Sequence, residues 1–176
     1  MKAASAPKRR AATATFAGAP PDDPEGAAIV RAGQKSPETK IDDRFTVAEA
    51  IRWIDGVRGG PFFAYVNLQG AHSPYMTPPG FAHRFGPAAP GFPIGFGTWP
   101  PEKAAVVKDL YADSLVYVDL QIGRLAAHLK ERGLWDRTVI VVSGDHGEAF
   151  YEHGFAAHGG ALYGELVHVP LVLHVP

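Results

Sequence analysis

Cysteine is absent from this chain, which excludes disulfides and every thiolate metal site. That absence leaves the redox compartment open. No apolar run approaches the roughly 18 to 20 residues that a membrane-spanning helix needs, so no transmembrane segment is expected. Charge of one sign is not in excess: 17 Lys and Arg stand against 18 Asp and Glu, and nothing in that balance points to a nucleic-acid partner. With 46% hydrophobic and 20% charged residues over 176 positions, one globular domain with a real core is expected.

The most informative stretch runs from Val139 to Gly154. Thr138 to Ser143 reads as a buried strand, being short, continuous, apolar and rich in Val and Ile, and Gly144 permits a tight turn straight after it. Asp145 and His146 then stand at the strand's carboxyl end. Ligands of open parallel sheets bind outside that end, so an adjacent carboxylate and imidazole point to one metal held by both. Those donors suit Zn, Mn or Fe, and a hard cation such as Ca would lean on the carboxylate. An Asp that merely caps the next turn is the competing reading. The density of His146, Glu148, Glu152, His153 and His158 weighs against it.

The runs Ser143 to Glu148 (SGDHGE), Glu152 to Gly154 (EHG), His158-Gly159, Leu162 to Glu165 (LYGE) and Val169 to Leu173 (VPLVL) together resemble the C-terminal half of a sulfatase catalytic domain, in the alkaline-phosphatase-like superfamily. Pro61 to Leu68 (PFFAYVNL) followed by His72 to Tyr75 (HSPY) is similar to an earlier strand and His-x-Pro-Tyr segment of that family, in the expected order. The resemblance covers about residues 44 to 176 and implies an α/β fold with a partial, mostly parallel sheet flanked by helices. It also implies a catalytic domain cut at both ends.

On that resemblance Asp145 and His146 match the family's late metal-ligand pair. His72 matches a histidine that donates a hydrogen bond to the anionic ester. His158 falls where sulfatases place a Lys or His against the sulfate, or where metal-rich relatives place another ligand. His153 is expected to orient its neighbours through a hydrogen bond. Gln69-Gly70-Ala71 departs from the family's commoner sequence before the histidine. The implied cofactor is a divalent metal, Ca first for a sulfatase with Zn or Mn as alternatives, and the implied substrate is a small-molecule or glycan sulfate ester.

Residues 1 to 43 read as a leader or linker without regular structure. Lys2, Lys8, Arg9 and Arg10 precede a small-residue stretch that makes a poor signal-peptide core, and Pro20, Pro21, Pro24 and Pro37 follow. A periplasmic or extracellular location is therefore implied by resemblance alone. From Thr46 a capping-box spacing with Glu49 predicts a short helix to about Val57, and Phe62 to Leu68 predicts a strand. The proline-rich stretch from Tyr75 to Pro101 excludes regular structure and reads as a packed surface excursion or a wall of the substrate cleft. Glu102 to Arg132 predicts one long helix with Ala104, Val107, Tyr111, Leu115, Val118, Ile122, Leu125 and Leu129 as its buried stripe, Gly133 as its C-cap, and Asp113 and Asp119 solvated or capping. That helix would join two parallel strands in a right-handed crossover, which would bring His72, Asp145, His146 and His158 to one rim.

The family's nucleophile motif, Cys-x-Pro-x-Arg or Ser-x-Pro-x-Arg, is missing, and Asp22-Asp23 and Asp42-Asp43 follow no apolar strand. The expected function is hydrolysis of a sulfate ester in the intact enzyme. A phosphodiester or phosphonate monoester hydrolase and a non-catalytic metal- or anion-binding remnant are the alternatives. Nucleophile and metal act as a unit, so the purified chain is expected to show no significant turnover of aryl sulfate or aryl phosphate esters with any of several divalent metals. Robust metal-dependent turnover abolished by His146→Ala would contradict this.

Overall fold

A computed structural model describes residues 12–16, 42–57, 60–75, 77–87 and 91–176. The chain divides into two compact units, Met1–Leu68 and Gln69–Pro176. Most of the expected leader lies outside the described residues, but Ala12–Phe16 within it forms a strand, β1. Helix α1 spans Asp43–Gly56 and strand β2 spans Phe62–Val66. β1 and β2 pair in parallel from Ala12 against Phe62 to Phe16 against Val66.

Helix α1 starts earlier than the capping-box reading placed it. Asp42 is the N-cap, its carboxylate accepting from the Arg44 N–H at 2.9 Å, while Thr46 lies one turn inside the helix and is buried. Val47, Ala50 and Ile54 form the buried stripe, and Trp53 meets Phe62 edge-on with ring centroids 6.0 Å apart.

In the second unit a turn of 3₁₀ helix, Pro101–Lys103, leads into the long helix α2, Ala104–Glu131. Gly133, at φ 63°, takes the left-handed conformation that ends the helix, and the Leu134 N–H reaches back to the Leu129 carbonyl at 2.8 Å. The buried face is rotated from the expected stripe. Val107 and Leu129 are buried as expected, but between them Leu110, Ser114, Tyr117 and Gln121 point inward, whereas Leu115 is 42% exposed. The reason is Asp113, expected to be solvated but fully buried. Its two oxygens accept the backbone N–H groups of Arg84 (2.8 Å), Phe85 (3.2 Å) and Gly86 (2.9 Å) and the His83 ring Nδ1–H (3.1 Å). One carboxylate thus ties the proline-rich segment to α2 by satisfying donors that the segment cannot satisfy itself.

Around that tie lies the main core of the second unit: Tyr75, Trp99, Val107, Leu110 and Phe150. The Tyr75 ring meets Trp99, Tyr111 and Phe150 at centroid separations of 5.9, 5.4 and 5.9 Å. Burying each such side chain is worth about 1.5–3 kcal/mol, and aromatic pairing adds about 0.5–1.5 kcal/mol.

After a 3₁₀ turn at Trp135–Arg137 come strand β3 (Ile140–Ser143), the short strands β4 (Ala149–Phe150) and β5 (Ala156–Ala157), the single-turn helix α3 (Gly164–Val167) and strand β6 (Leu171–His174). β3 pairs with β6 and β4 with β5, both antiparallel. Of the three strand pairs described, only β1 with β2 is parallel, so the mostly parallel sheet and the βαβ crossover are not what the described residues show. Nor is β3 buried: Val141 and its partner Leu173 are 60% and 58% exposed, because no described residue covers that face of the β3–β6 pair.

Burial raises the Asp113 carboxyl, but the Arg84 and Gly86 N–H groups, His83 and the Phe85 N–H outweigh it and hold the pKa below the ordinary value. A depressed carboxyl stabilises the fold above its unfolded pKa of about 3.9, and that contribution is lost as pH falls through the lower folded value. Asp113→Ala should therefore lower unfolding stability at pH 7 by about 3–5 kcal/mol in denaturant melts, with the gap to the wild type narrowing below about pH 4. Equal midpoints at pH 7 would refute the tie.

Candidate active site

The turn leaving β3 is set by one close backbone approach. The Gly147 N–H donates to the Leu166 carbonyl at 2.7 Å, and a Cβ on Gly147 would run into the Glu165 carbonyl oxygen. Only glycine allows the 144–148 turn to lie this tightly on α3. The turn places Asp145 and His146 side by side. Asp145 Oδ1 accepts the His146 N–H at 3.0 Å, its Oδ2 lies 3.8 Å from His146 Nε2, and its side chain is 90% exposed. His146 Nδ1 lies 2.8 Å from the Gly147 carbonyl, which can only accept, so Nδ1 is the donor and Nε2 stays outside this bond.

The β4–β5 register then brings in the third member. Ala149 pairs with Ala157, so the residues just outside that pair, Glu148 and His158, meet: His158 Nδ1 lies 3.1 Å from Glu148 Oε1. Ala157 is buried and holds φ 70°, a left-handed conformation costing a non-glycine residue about 1–2 kcal/mol. The ladder and the packing around it hold the backbone there, immediately before His158. The His158 ring lies against His146 with centroids 3.8 Å apart, and His72 meets it edge-on at 6.2 Å. His72 is oriented as His146 is, with Nδ1 2.7 Å from the Ser73 carbonyl. All three imidazoles are thus anchored through Nδ1, each leaving Nε2 uncommitted by these bonds.

Phe96, 51% exposed on the proline-rich segment, meets the His158 ring edge-on at 4.8 Å. That segment is therefore both packed, through Tyr75 and Trp99, and part of the wall beside His158. His153 lies elsewhere in the hairpin. Its Nδ1 is 2.6 Å from Glu165 Oε1, an interaction that lowers the Glu165 carboxyl pKa, and its ring stacks on Tyr163 at 3.8 Å. It steadies the loop between β5 and α3.

Glu148 is the residue whose importance the spacing of motifs did not reveal. It is buried, and its second oxygen, Oε2, accepts the Tyr75 hydroxyl at 2.7 Å. Burial, then that bond and the Glu148 charge, push the Tyr75 pKa far up, so the phenol remains a donor. Nothing local to the SGDHGE run signals this, because the partners are Tyr75 and His158. Among the described residues no group of three or more His, Asp or Glu side chains is arranged to hold a metal ion. Asp145 and His146 are nonetheless a chemically apt pair of ligands. Their 3.8 Å separation is one that two metal bonds of about 2.0–2.4 Å can close.

Residues 8–176, which include these imidazoles, the Asp145 carboxylate and the glycine-bearing turn, match the sulfatase family. The chain belongs to that family, and its fold is alkaline-phosphatase-like α/β. The match begins well before residue 44, where the motifs alone placed it. Iduronate 2-sulfatase of Homo sapiens is 25% identical over 175 residues, covering 80% of this chain and 32% of that protein. The multifunctional alkaline phosphatase superfamily protein PehA of Trinickia caryophylli is 24% identical, covering 78% of this chain and 33% of that protein. The chain thus spans about a third of the length of these curated relatives. Among solved structures, the phosphonate monoester hydrolase of Agrobacterium radiobacter superposes with a TM-score of 0.62 at 19% identity, covering 89% of this chain and 42% of that one. The phosphonate monoester hydrolase of Silicibacter pomeroyi gives 0.52 at 25% identity, covering 77% and 33%.

Gly147→Ala should destabilise the chain by about 1–3 kcal/mol or more, the cost of forcing an extra carbon into packed surroundings. Gly160→Ala, where an added Cβ meets nothing within 4 Å, should change stability by less than about 0.5 kcal/mol. Equal denaturation midpoints for the two variants would show that the 144–148 turn tolerates a side chain.

Proposed function

We propose that this chain is part of a metal-dependent hydrolase of sulfate esters, and that it carries a metal-binding pair and anion-binding imidazoles of the active site. The observation that carries the reading is the grouping of His72, His146 and His158, each held through Nδ1, beside the Asp145 carboxylate. Asp145 and His146 would be two of the ligands to a divalent cation, Ca for a sulfatase, with Zn or Mn as alternatives. A cation bound there would supply Lewis acidity toward the ester oxygens.

The chain's own imidazoles would hold the anion. His72 and His158, when protonated at Nε2, donate to oxygens of the bound anion, and such charge-assisted bonds are about twice as strong as neutral ones. Their ring planes are fixed before the ester arrives, so little reorganisation is needed as negative charge develops. Phe96, set edge-on to the His158 ring, would lie beside the organic part of the ester. A second reading, hydrolysis of a phosphonate monoester or phosphodiester, is favoured by the 25% identity to the Silicibacter pomeroyi enzyme. Tetrahedral sulfate and phosphonate groups offer the same imidazoles similar oxygens.

Calorimetric titration of the chain with Ca, Mn and Zn, each with and without phenyl sulfate or phenyl phosphonate, tests the reading. Two protein ligands leave a coordination shell open, so metal binding should be weak, and weaker by about tenfold in Asp145→Asn. His72→Ala and His158→Ala should each weaken phenyl sulfate binding by about tenfold, roughly 1.4 kcal/mol. Tighter binding of the phosphonate would favour the second reading. Metal and anion titrations unchanged by all three substitutions would leave these residues without the assigned roles.

A further inference from the structure

We propose that Glu148 is a positioning residue of this site: its buried carboxyl fixes the His158 imidazole as the Nδ1–H form and so dedicates Nε2 to whatever the site binds. The role of that Nε2 rests on the anion-site reading above, whereas the tautomer assignment stands on geometry alone. Glu148 lies one residue outside the Ala149–Ala157 pair, and that register, rather than side-chain flexibility, delivers it to His158. It is buried and uses both oxygens, Oε1 toward His158 Nδ1 at 3.1 Å and Oε2 toward the Tyr75 hydroxyl at 2.7 Å. Tyr75 is in turn fixed by the aromatic core of Trp99, Tyr111 and Phe150. A chain of contacts therefore runs from the core, through a phenol and a carboxyl group, to one imidazole nitrogen.

His72 and His146 obtain the same orientation from the carbonyl of the next residue, Ser73 and Gly147 respectively. His158 instead relies on a side chain brought in across a strand pair. A carboxylate accepts a hydrogen bond more strongly than a carbonyl does. Phe96 packs beside the same ring, with centroids 4.8 Å apart.

Long-range proton–nitrogen NMR of the chain labelled with ¹⁵N reads the tautomer directly, with the His158 signals assigned by their loss in His158→Gln. The wild type should show His158 protonated at Nδ1, and so should Tyr75→Phe, which removes the phenol but leaves Oε1 in place. Glu148→Gln, whose amide oxygen can still accept, should keep that pattern. Glu148→Leu should lose it and show the mixed forms of an unconstrained imidazole. An Nε2–H form of His158 in the wild-type chain overturns the proposal whatever the variants do, as does an unchanged Nδ1–H form in Glu148→Leu. Added inorganic sulfate should shift the His158 Nε2 signal in the wild type. An intact Nδ1–H form with no such shift would overturn the anion-site reading while leaving the positioning role in place.

Discussion

The buried carboxyl of Glu148 is the constraint on which the site depends. It stands where the aromatic core ends and the imidazoles begin, and both of its oxygens are committed, one to each side. A buried carboxyl group with unused oxygens would be costly, since desolvation must be offset by well-placed donors. Here the donors are a core phenol and the histidine that the site needs held still. Stability and site geometry consequently share one group. Loss of the β4–β5 register by one residue would separate Glu148 from His158 and leave each without its partner.

A second carboxylate does comparable work at a distance from the imidazoles. Asp113 gathers three consecutive backbone N–H groups and the His83 ring, fastening a segment whose described residues form no helix or strand. That segment carries Phe96 to the edge of His158 and Trp99 into the core. One buried carboxylate and a few aromatic rings thus hold its described residues to the rest of the unit. Among the described residues no helix is long and apolar enough to cross a membrane, in keeping with the short apolar runs of the sequence.

Much of this was legible in the sequence, for reasons that differ by element. The long helix α2 and its glycine C-cap follow from periodicity and a single residue with φ above zero. The family follows from several short motifs occurring together in one order, and the position of Asp145 and His146 just after a strand follows from the apolar run before them. Strand pairing was not legible, because β3 reads as apolar and continuous whether its neighbour is parallel or antiparallel. The rotation of α2 was hidden because Asp113 looks like a surface residue until its loop partners are known. The link from Tyr75 to Glu148 was hidden for a similar reason: 73 positions separate the two, and no local pattern records such a pairing.

His72, His146 and His158, with Asp145, are proposed to form one site for an anionic ester and its metal. A crystal structure of the chain grown with calcium and sulfate addresses it most directly. A sulfate is expected with oxygens within hydrogen-bond reach, about 2.7–3.2 Å, of the Nε2 atoms of His72 and His158, and a cation touching Asp145 and His146. Sulfate bound elsewhere, with the three rings turned apart and no ion beside Asp145, would contradict it.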